Sequence, residues 1–365
     1  MEVDPRLDSW LSVLHAEQGT DILLTVASPP LLRIDGRLAP LADTDPLTDD
    51  AIRQIATTLL GEVGSKADLG RREVDLAFSW NGTDRIRGNV FRQRDSCAIS
   101  LRRIPLEIPS PVDLGLPTAL SRLLRNPSGL ILVTGPTGSG KSTSMASMVD
   151  VVNRSRACHI VTIEDPIEYL HPNRLSAVSQ REVGADTDSF ASGLRSVLRE
   201  DPDVVLIGEM RDLESISSAV SIAETGHIVI TTLHTNDSAQ AIDRIIDAYP
   251  ADRRHQIQMQ LASTLLAVLY QRLVPRLGGG LVAAYELMVG TPAIRNLIRE
   301  GKTRQLRNVL TTHRSDGMQT LEQSLSQLLD DGVISYESAL DASLYPQDIV
   351  RPGPAVPANA QRSAV

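Results

Sequence analysis

Aromatic side chains make up only 3% of this 365-residue chain, and it contains only two cysteines, Cys97 and Cys158. Few aromatics leave few platforms on which the bases of a single-stranded nucleic acid stack. A basic excess is missing too. The formal net charge is -9 at pH 7, whereas proteins that coat DNA or RNA draw affinity from lysines and arginines that neutralise phosphates. No nucleic-acid partner is expected. The cysteines lie far apart with no CxxC pair, which argues against a disulfide framework or zinc module and for buried free thiols. No run reaches the roughly 20 apolar residues of a membrane helix, and MEVDPRLDSW lacks the basic start and apolar stretch of a signal peptide. The expectation is a cytosolic protein with no membrane insertion of its own, docked on a membrane through a partner.

What the chain does have is a 42% hydrophobic content and enough length for two domains. In PRLDSWLSVLHAEQG, Leu7, Trp10, Leu11 and Leu14 fall at helical spacing, with Gly19 as a stop. DILLTVASPPLLRIDGRLAPL then gives strands broken at Pro29-Pro30 and Asp35-Gly36, DDAIRQIATTLL a helix, and REVDLAFSWNGTDRIRGNVFRQR a hairpin about Asn81-Gly82. SCAISLRRI adds a strand. Residues 1–107 are thus expected to form a small α+β domain with a mainly antiparallel sheet. A proline-rich linker is placed at 108–117, because such sequence continues neither a helix nor a central strand. Beyond it, the apolar runs LILVTG, HIVTIE, DVVLIGE and HIVITTLH alternate with helical segments, as buried parallel strands of an α/β sheet do. From about residue 236 the pattern reads as mostly helical, and residues 347–365 as a disordered tail rich in proline and alanine.

Residues 135–143, GPTGSGKST, carry the most chemistry. They fit G-x-x-x-x-G-K-[ST] between a predicted strand and a predicted helix. Gly135, Pro136, Thr137, Gly138, Ser139 and Gly140 would form a loop whose backbone N–H groups turn inward on phosphate, with the positive end of the following helix behind them. Lys141 reaches the β- and γ-phosphates, and Ser142 is the expected Mg²⁺ ligand beside Thr143. Hydrolysis also needs a carboxylate near Mg²⁺ and a group that orients water. DVVLIGE delivers Glu209 to the C-terminal edge of a buried strand, where ligands sit in open α/β sheets. IEDPIEY clusters Glu164, Asp165 and Glu168 after another strand, and Glu164, first off that strand, is taken as the group that holds the water. His227 and His234 bracket HIVITTLH, and an imidazole at the far end can report on γ-phosphate. Arg85, Arg87, Arg92, Arg94, Arg102 and Arg103 fall on predicted strands of the first domain, as a solvated sheet face or as a source of arginine fingers. A finger given to a neighbouring subunit requires a ring.

Together GPTGSGKST, TIEDPIEY, LREDPDVVLIGEMRD and TGHIVITTLHTND resemble the Walker A, Asp box, Walker B and His box of the secretion ATPase superfamily. That resemblance implies a Mg²⁺- and ATP-dependent hexameric motor, with a PAS-like α+β N-terminal domain followed by a RecA-like P-loop NTPase domain and a helical C-terminal part. It implies ATP and Mg²⁺ binding by Lys141, Ser142 and Thr143, Glu164 as catalytic base, Glu209 as Walker B acid, and His227 and His234 as the His box. Arg87 and Arg102 become the expected fingers, with Arg92 and Arg94 as further candidates. AIRNLIRE, residues 293–300, and GMQTLEQSLSQLLDDGVIS resemble the PilT branch, the type IV pilus retraction ATPases. One departure lies in GTDILLTVASPP, where Leu23 stands in place of the branch's usual histidine.

AIRNLIRE reads as an amphipathic turn with Ala293, Ile294, Leu297 and Ile298 inward and Arg295, Asn296, Arg299 and Glu300 outward as a contact surface. The expected organisation is an ATPase core at 118–290 and a helical part at 291–346. The resemblance further implies a homohexamer at the inner-membrane base of a pilus machine, working on a platform membrane protein and beside an accessory retraction ATPase. The rival readings are an accessory paralogue, an assembly or secretion ATPase of a related filament, a nucleotide-gated regulator with little turnover, and a nucleic-acid motor.

Overall fold

The computed structural model describes residues 3–34, 36–63, 73–82, 84–105 and 107–351. Asp35 of the expected Asp35-Gly36 turn and residues 352–365 of the expected tail lie outside the described residues. The chain divides into two compact units, Met1–Glu107 and Ile108–Val365.

The first unit opens with α1 (Pro5–Ala16), whose Asp4 cap accepts the Arg6 N–H and whose Leu7, Trp10, Leu11 and Leu14 are buried. Then come β1 (Asp21–Leu24), β2 (Leu31–Ile34), β3 (Arg37–Pro40), α2 (Asp49–Val63), β4 (Glu73–Trp80), β5 (Asp84–Gln93) and β6 (Ser96–Pro105). The strands form one antiparallel sheet in the order β3-β2-β1-β6-β5-β4. Alternation sends Ile86 and Val90 of β5 into the core and leaves Arg85 and Arg87 on the other face. The expected fingers Arg87 and Arg102 are register partners across β5 and β6, and Arg102 Nε donates to Asp21 at 2.8 Å. Arg94 sits in a turn rather than a strand. Arg103 is no free finger: it is buried in an ion pair with Asp84 at 2.8 Å, which His15 Nδ1 also meets at 2.6 Å.

The second unit runs α3 (Ala119–Leu123), β7 (Gly129–Thr134), α4 (Lys141–Ser155), β8 (His159–Glu164), β9 (Ala177–Glu182), α5 (Phe190–Val197), β10 (Val204–Ile207), α6 (Leu213–Glu224), β11 (Ile228–Leu233), α7 (Ser238–Asp247) and α8 (Arg254–Thr264). It continues with β12 (Leu265–Pro275), β13 (Leu281–Val289), α9 (Pro292–Arg299), α10 (Leu306–Thr312), α11 (Leu321–Asp330) and α12 (Tyr336–Ala342). Its sheet has seven strands in the order β13-β12-β7-β11-β10-β8-β9, parallel throughout except β13. Every residue of β7 and β11 is buried, as strands covered on both faces must be. Leu130 and Leu132 point toward α6, α7, α8 and α9, while Ile131 and Val133 point toward α3 and α4. Burying each such side chain contributes about 2 kcal/mol.

The mostly helical expectation beyond residue 236 needs correction. β12 and β13 are long strands there, and β12 pairs directly with β7 under the phosphate loop. Their apolar runs LLAVLY and AAYELMV have no clean period-2 alternation, because both faces are covered, so periodicity alone did not separate them from buried helix. Among the C-terminal helices, α9 and α10 share this core through Ile294, Ile298, Leu306 and Leu310, while α11 and α12 pack on β12 and β13 in a separate cluster with Tyr270, Val274 and Ala284. No helix of the described residues is long and apolar enough to cross a membrane. Cys97 is buried and Cys158 half-buried, both as free thiols.

Candidate functional site

The parallel strands deliver their C-terminal ends to one edge of the second sheet, and the phosphate loop is the link from β7 to α4 there. Gly140 caps α4 with no side-chain hydrogen bond, so the first N–H groups of the helix face outward unclaimed by a cap. Glycine is required at two points. Gly135 has φ +146° and a Cβ on it would collide with the Gln271 carbonyl, while one on Gly140, at φ +83°, would lie 2.8 Å from Gln271 Nε2. Pro136, Thr137 and Gly138 form the exposed crest of the loop, and the hydroxyl of Ser139 is buried inside it without a partner.

Lys141 Nζ donates to the carbonyls of Gly135 and Pro136, each at 2.9 Å, and lies 3.5 Å from His234 Nδ1. Burial presses its pKa down, with Glu209 and Glu168 acting the other way. The other ring nitrogen of His234, Nε2, faces Glu209 Oε1 at 3.3 Å. Glu209 follows β10 through Gly208, whose N–H donates to Ile163 and whose carbonyl accepts from Thr232 Oγ1 at 2.7 Å. Its other oxygen accepts from Arg211 Nε at 2.9 Å. A second tie joins the strand ends, where Thr134 Oγ1 meets Thr235 Oγ1 at 2.6 Å.

Glu164 ends β8 half-buried, and desolvation raises its pKa, while hydrogen bonds from Thr162 and Gln180 act against that rise. Glu168, in the loop that follows, is the acidic neighbour of both Glu164 and Lys141. The Asp165–Pro166 bond in that loop is cis. Tyr169 Oη meets Thr143 Oγ1 at 3.0 Å and so ties this loop to the first turn of α4. Ser142 is half-buried in the same turn.

One expected binding residue is not brought to this edge. His227 precedes β11, so the six-residue strand separates it from His234 by roughly 20 Å at the rise of an extended chain. Its Nδ1 contacts the Ile222 carbonyl at 3.0 Å and Thr225 Oγ1 at 3.2 Å. Two histidines bracketing a fully extended strand must lie at opposite ends of the sheet. The AIRNLIRE helix, α9, also departs from expectation. Ala293 is exposed, and Arg295 turns inward, donating to the carbonyls of Gly290, Ser263 and Leu265 at 2.7, 2.6 and 3.0 Å. Asn296, Arg299 and Glu300 remain exposed.

Sequence reasoning missed Gln271. On β12, almost fully buried, it donates to the Ser139 carbonyl and accepts from Ser144 Oγ at 2.8 Å, clamping the phosphate loop from beneath. A lone amide after the apolar run LLAVLY was the available signal, since a buried amide demands partners. The cradle fits the phosphates of a nucleotide. Among the described residues no cluster of three or more His, Cys, Asp or Glu could hold a metal, but the hydroxyl of Ser142 and the carboxylate of Glu209 suit Mg²⁺, which takes few protein oxygens and completes its shell with phosphates and water.

The type II/IV secretion system protein family model matches residues 114–340. The chain is 42% identical over 339 residues to the type IV pilus retraction ATPase PilT of Pseudomonas aeruginosa, covering 93% of this chain and 98% of that protein. It is 40% identical to the type IV pilus ATPase PilU of the same organism, covering 92% and 88%. A crystal structure of the pilus retraction motor PilT with bound ADP superposes with TM-score 0.85 at 44% identity, covering 94% of this chain and 98% of that one.

Proposed function

The chain belongs to the type II/IV secretion system protein family, and we propose that it is the hexameric ATP-hydrolysing motor that powers retraction of type IV pili. Within that family it is an ATPase of the pilus-retraction type, with the mixed α/β fold of those enzymes. The observation that carries the functional reading is the match to a pilus retraction ATPase along nearly the whole of both chains.

The site chemistry follows from the residues at the sheet edge. The loop from Gly135 to Gly140 and the start of α4 hold the phosphates, and Lys141 leaves its carbonyl partners to meet the β- and γ-oxygens. Mg²⁺ held by Ser142 and Glu209 would neutralise charge across those oxygens. Glu164 accepts a proton from the attacking water, a role that suits a carboxylate raised by burial. His234, between Lys141 and Glu209, senses the γ-phosphate. Arg87 and Arg102 of an adjacent subunit serve as fingers in a homohexameric ring. The ring works at the cytoplasmic base of the pilus machine, against an inner-membrane platform protein. Asn296 and Arg299 of α9, with its cap residue Glu300, form the contact surface that retraction needs.

A second reading, an accessory retraction ATPase, is favoured by the similarity to PilU. The test is surface pilus number and twitching in a strain deleted for this gene and complemented with wild type or Glu209→Ala. The primary reading expects more pili with lost twitching, restored by wild type alone. Lost twitching with normal pilus numbers favours the accessory role, and loss of pili would sink retraction in favour of assembly.

A further inference from the structure

The loop between β8 and β9 carries Asp165, Glu168 and Tyr169, and one side chain ties both that loop and Glu164 to the sheet. β9 is the outermost strand, paired with β8 so that Gln180 lies directly beside Thr162 and Glu182 beside Glu164. Strand alternation puts Thr162, Glu164, Gln180 and Glu182 on one face of the sheet. Gln180 Nε2 donates to Glu164 Oε1 at 3.2 Å and to the Tyr169 carbonyl at 2.8 Å, while its Oε1 accepts the His171 N–H at 2.7 Å. Thr162 Oγ1 donates to the same Glu164 oxygen at 2.6 Å. Both side-chain hydrogen bonds therefore fall on Oε1.

We propose that Gln180 is the positioning residue of the general base: its amide fixes the Glu164 carboxylate and at the same time pins the loop that carries Glu168 and Tyr169. The inference rests on the reading of Glu164 as the base. Only a primary amide does both jobs, since two donors and an acceptor on one planar group are needed, and neither a carboxylate nor an ammonium has them. The charged group that acts on Glu164 is Glu168 from the loop. From β9, Glu182 is its register neighbour, but that carboxylate is occupied by the Ile167 N–H at 3.1 Å. From the turn after β10, uncharged Gly208 lies against the Glu164 backbone. The donors from Thr162 and Gln180, with the backbone N–H of Glu168 behind them, act against desolvation and the Glu168 charge, which favour the protonated form. Through Tyr169, the pinned loop also reaches Thr143 beside the phosphate cradle.

The experiment is steady-state ATP hydrolysis by the purified full-length protein across pH 5 to 9, comparing wild type with Gln180→Met, Gln180→Glu and Glu164→Gln. A base works only when ionised, so its turnover is lost as pH falls through its pKa. Losing a hydrogen bond to a carboxylate moves that acid limb upward by about one pH unit. Gln180→Met should shift the limb by that amount, with turnover falling up to about tenfold on the acid side of the limb, a much smaller loss on its alkaline side and little change in KM for ATP. Gln180→Glu keeps the size and the acceptor but removes the donor, so its limb moves the same way and further; it also keeps the question open should the methionine variant fold poorly. A uniform loss of turnover with the limb unmoved, or no change at all, overturns the inference. Wild-type turnover in Glu164→Gln would instead remove the general-base reading, which separates the two failures.

Discussion

The two ends of the seven-stranded sheet are built from the same strands and do different work. At the C-terminal ends of β7, β8, β10 and β11 the chain places glycine, lysine, glutamate and histidine around a phosphate cradle, where side chains meet one another, as His234 meets Lys141 and Glu209. At the N-terminal ends the polar groups close on backbone: His227 on the Ile222 carbonyl, His159 on the Glu200 carbonyl, and Arg295 on three carbonyls at the entry to β12. The difference teaches that residue type does not assign a role in this protein. Histidine stands beside Lys141 and Glu209 at 234 and at a helix terminus at 227, and the six residues between them decide which.

The largest effect that tests this contrast is expected from Lys141→Ala, which should cost roughly a thousandfold or more in ATP turnover while leaving the thermal melt nearly unchanged. Wild-type hydrolysis by the purified variant would mean the cradle is not the catalytic edge. Next comes the histidine pair. His234→Ala removes a group that touches both Lys141 and Glu209, and should lower kcat roughly ten- to hundredfold, as loss of an outer partner of a metal ligand does. His227→Ala should stay within about twofold of wild type. Equal losses in the two variants would erase the distinction between the ends, or show that a neighbouring subunit brings His227 to a nucleotide.

The smallest catalytic effect is expected at the opposite edge. Arg295→Ala strands three backbone carbonyls of the second unit and should reduce stability by about 2 kcal/mol, read as a lower urea midpoint. Turnover per folded molecule should hold. Arg299→Ala changes an exposed side chain of the same helix and should leave the midpoint within about 0.5 kcal/mol of wild type. A stability loss at Arg299 equal to that at Arg295 would mean that α9 does not divide its arginines between anchoring and contact.

Much of this is legible in the sequence. The phosphate loop could be read from residues 135–143 because its glycines have no conformational substitutes and its lysine has fixed spacing from them. The four central strands were legible as apolar runs, and Glu209 and Glu164 as the acids that leave them. What escaped was tertiary in origin. β12 and β13 were hidden because burial on both faces removes alternation. Gln271 was hidden because its partners, Ser139 and Ser144, lie far from it in sequence. Arg295 was assigned outward by helical periodicity, yet a long side chain at the margin of a helix can fold back to an uncapped turn, and the carbonyls of Ser263 and Leu265 offered one.

By itself, then, the sequence determined the local rules: where glycine permits a left-handed turn around phosphate, where apolar runs demand cover, and which acids emerge from which strands. Only the tertiary structure decided which of those residues meet. That Lys141, His234 and Glu209 converge, that Gln180 stands beside Thr162 and so beside Glu164, and that His227 is carried away follow from the order and register of strands distant in sequence. Hydrogen bonds act only within about 3.5 Å, so strand order and register fix which of the polar groups act together.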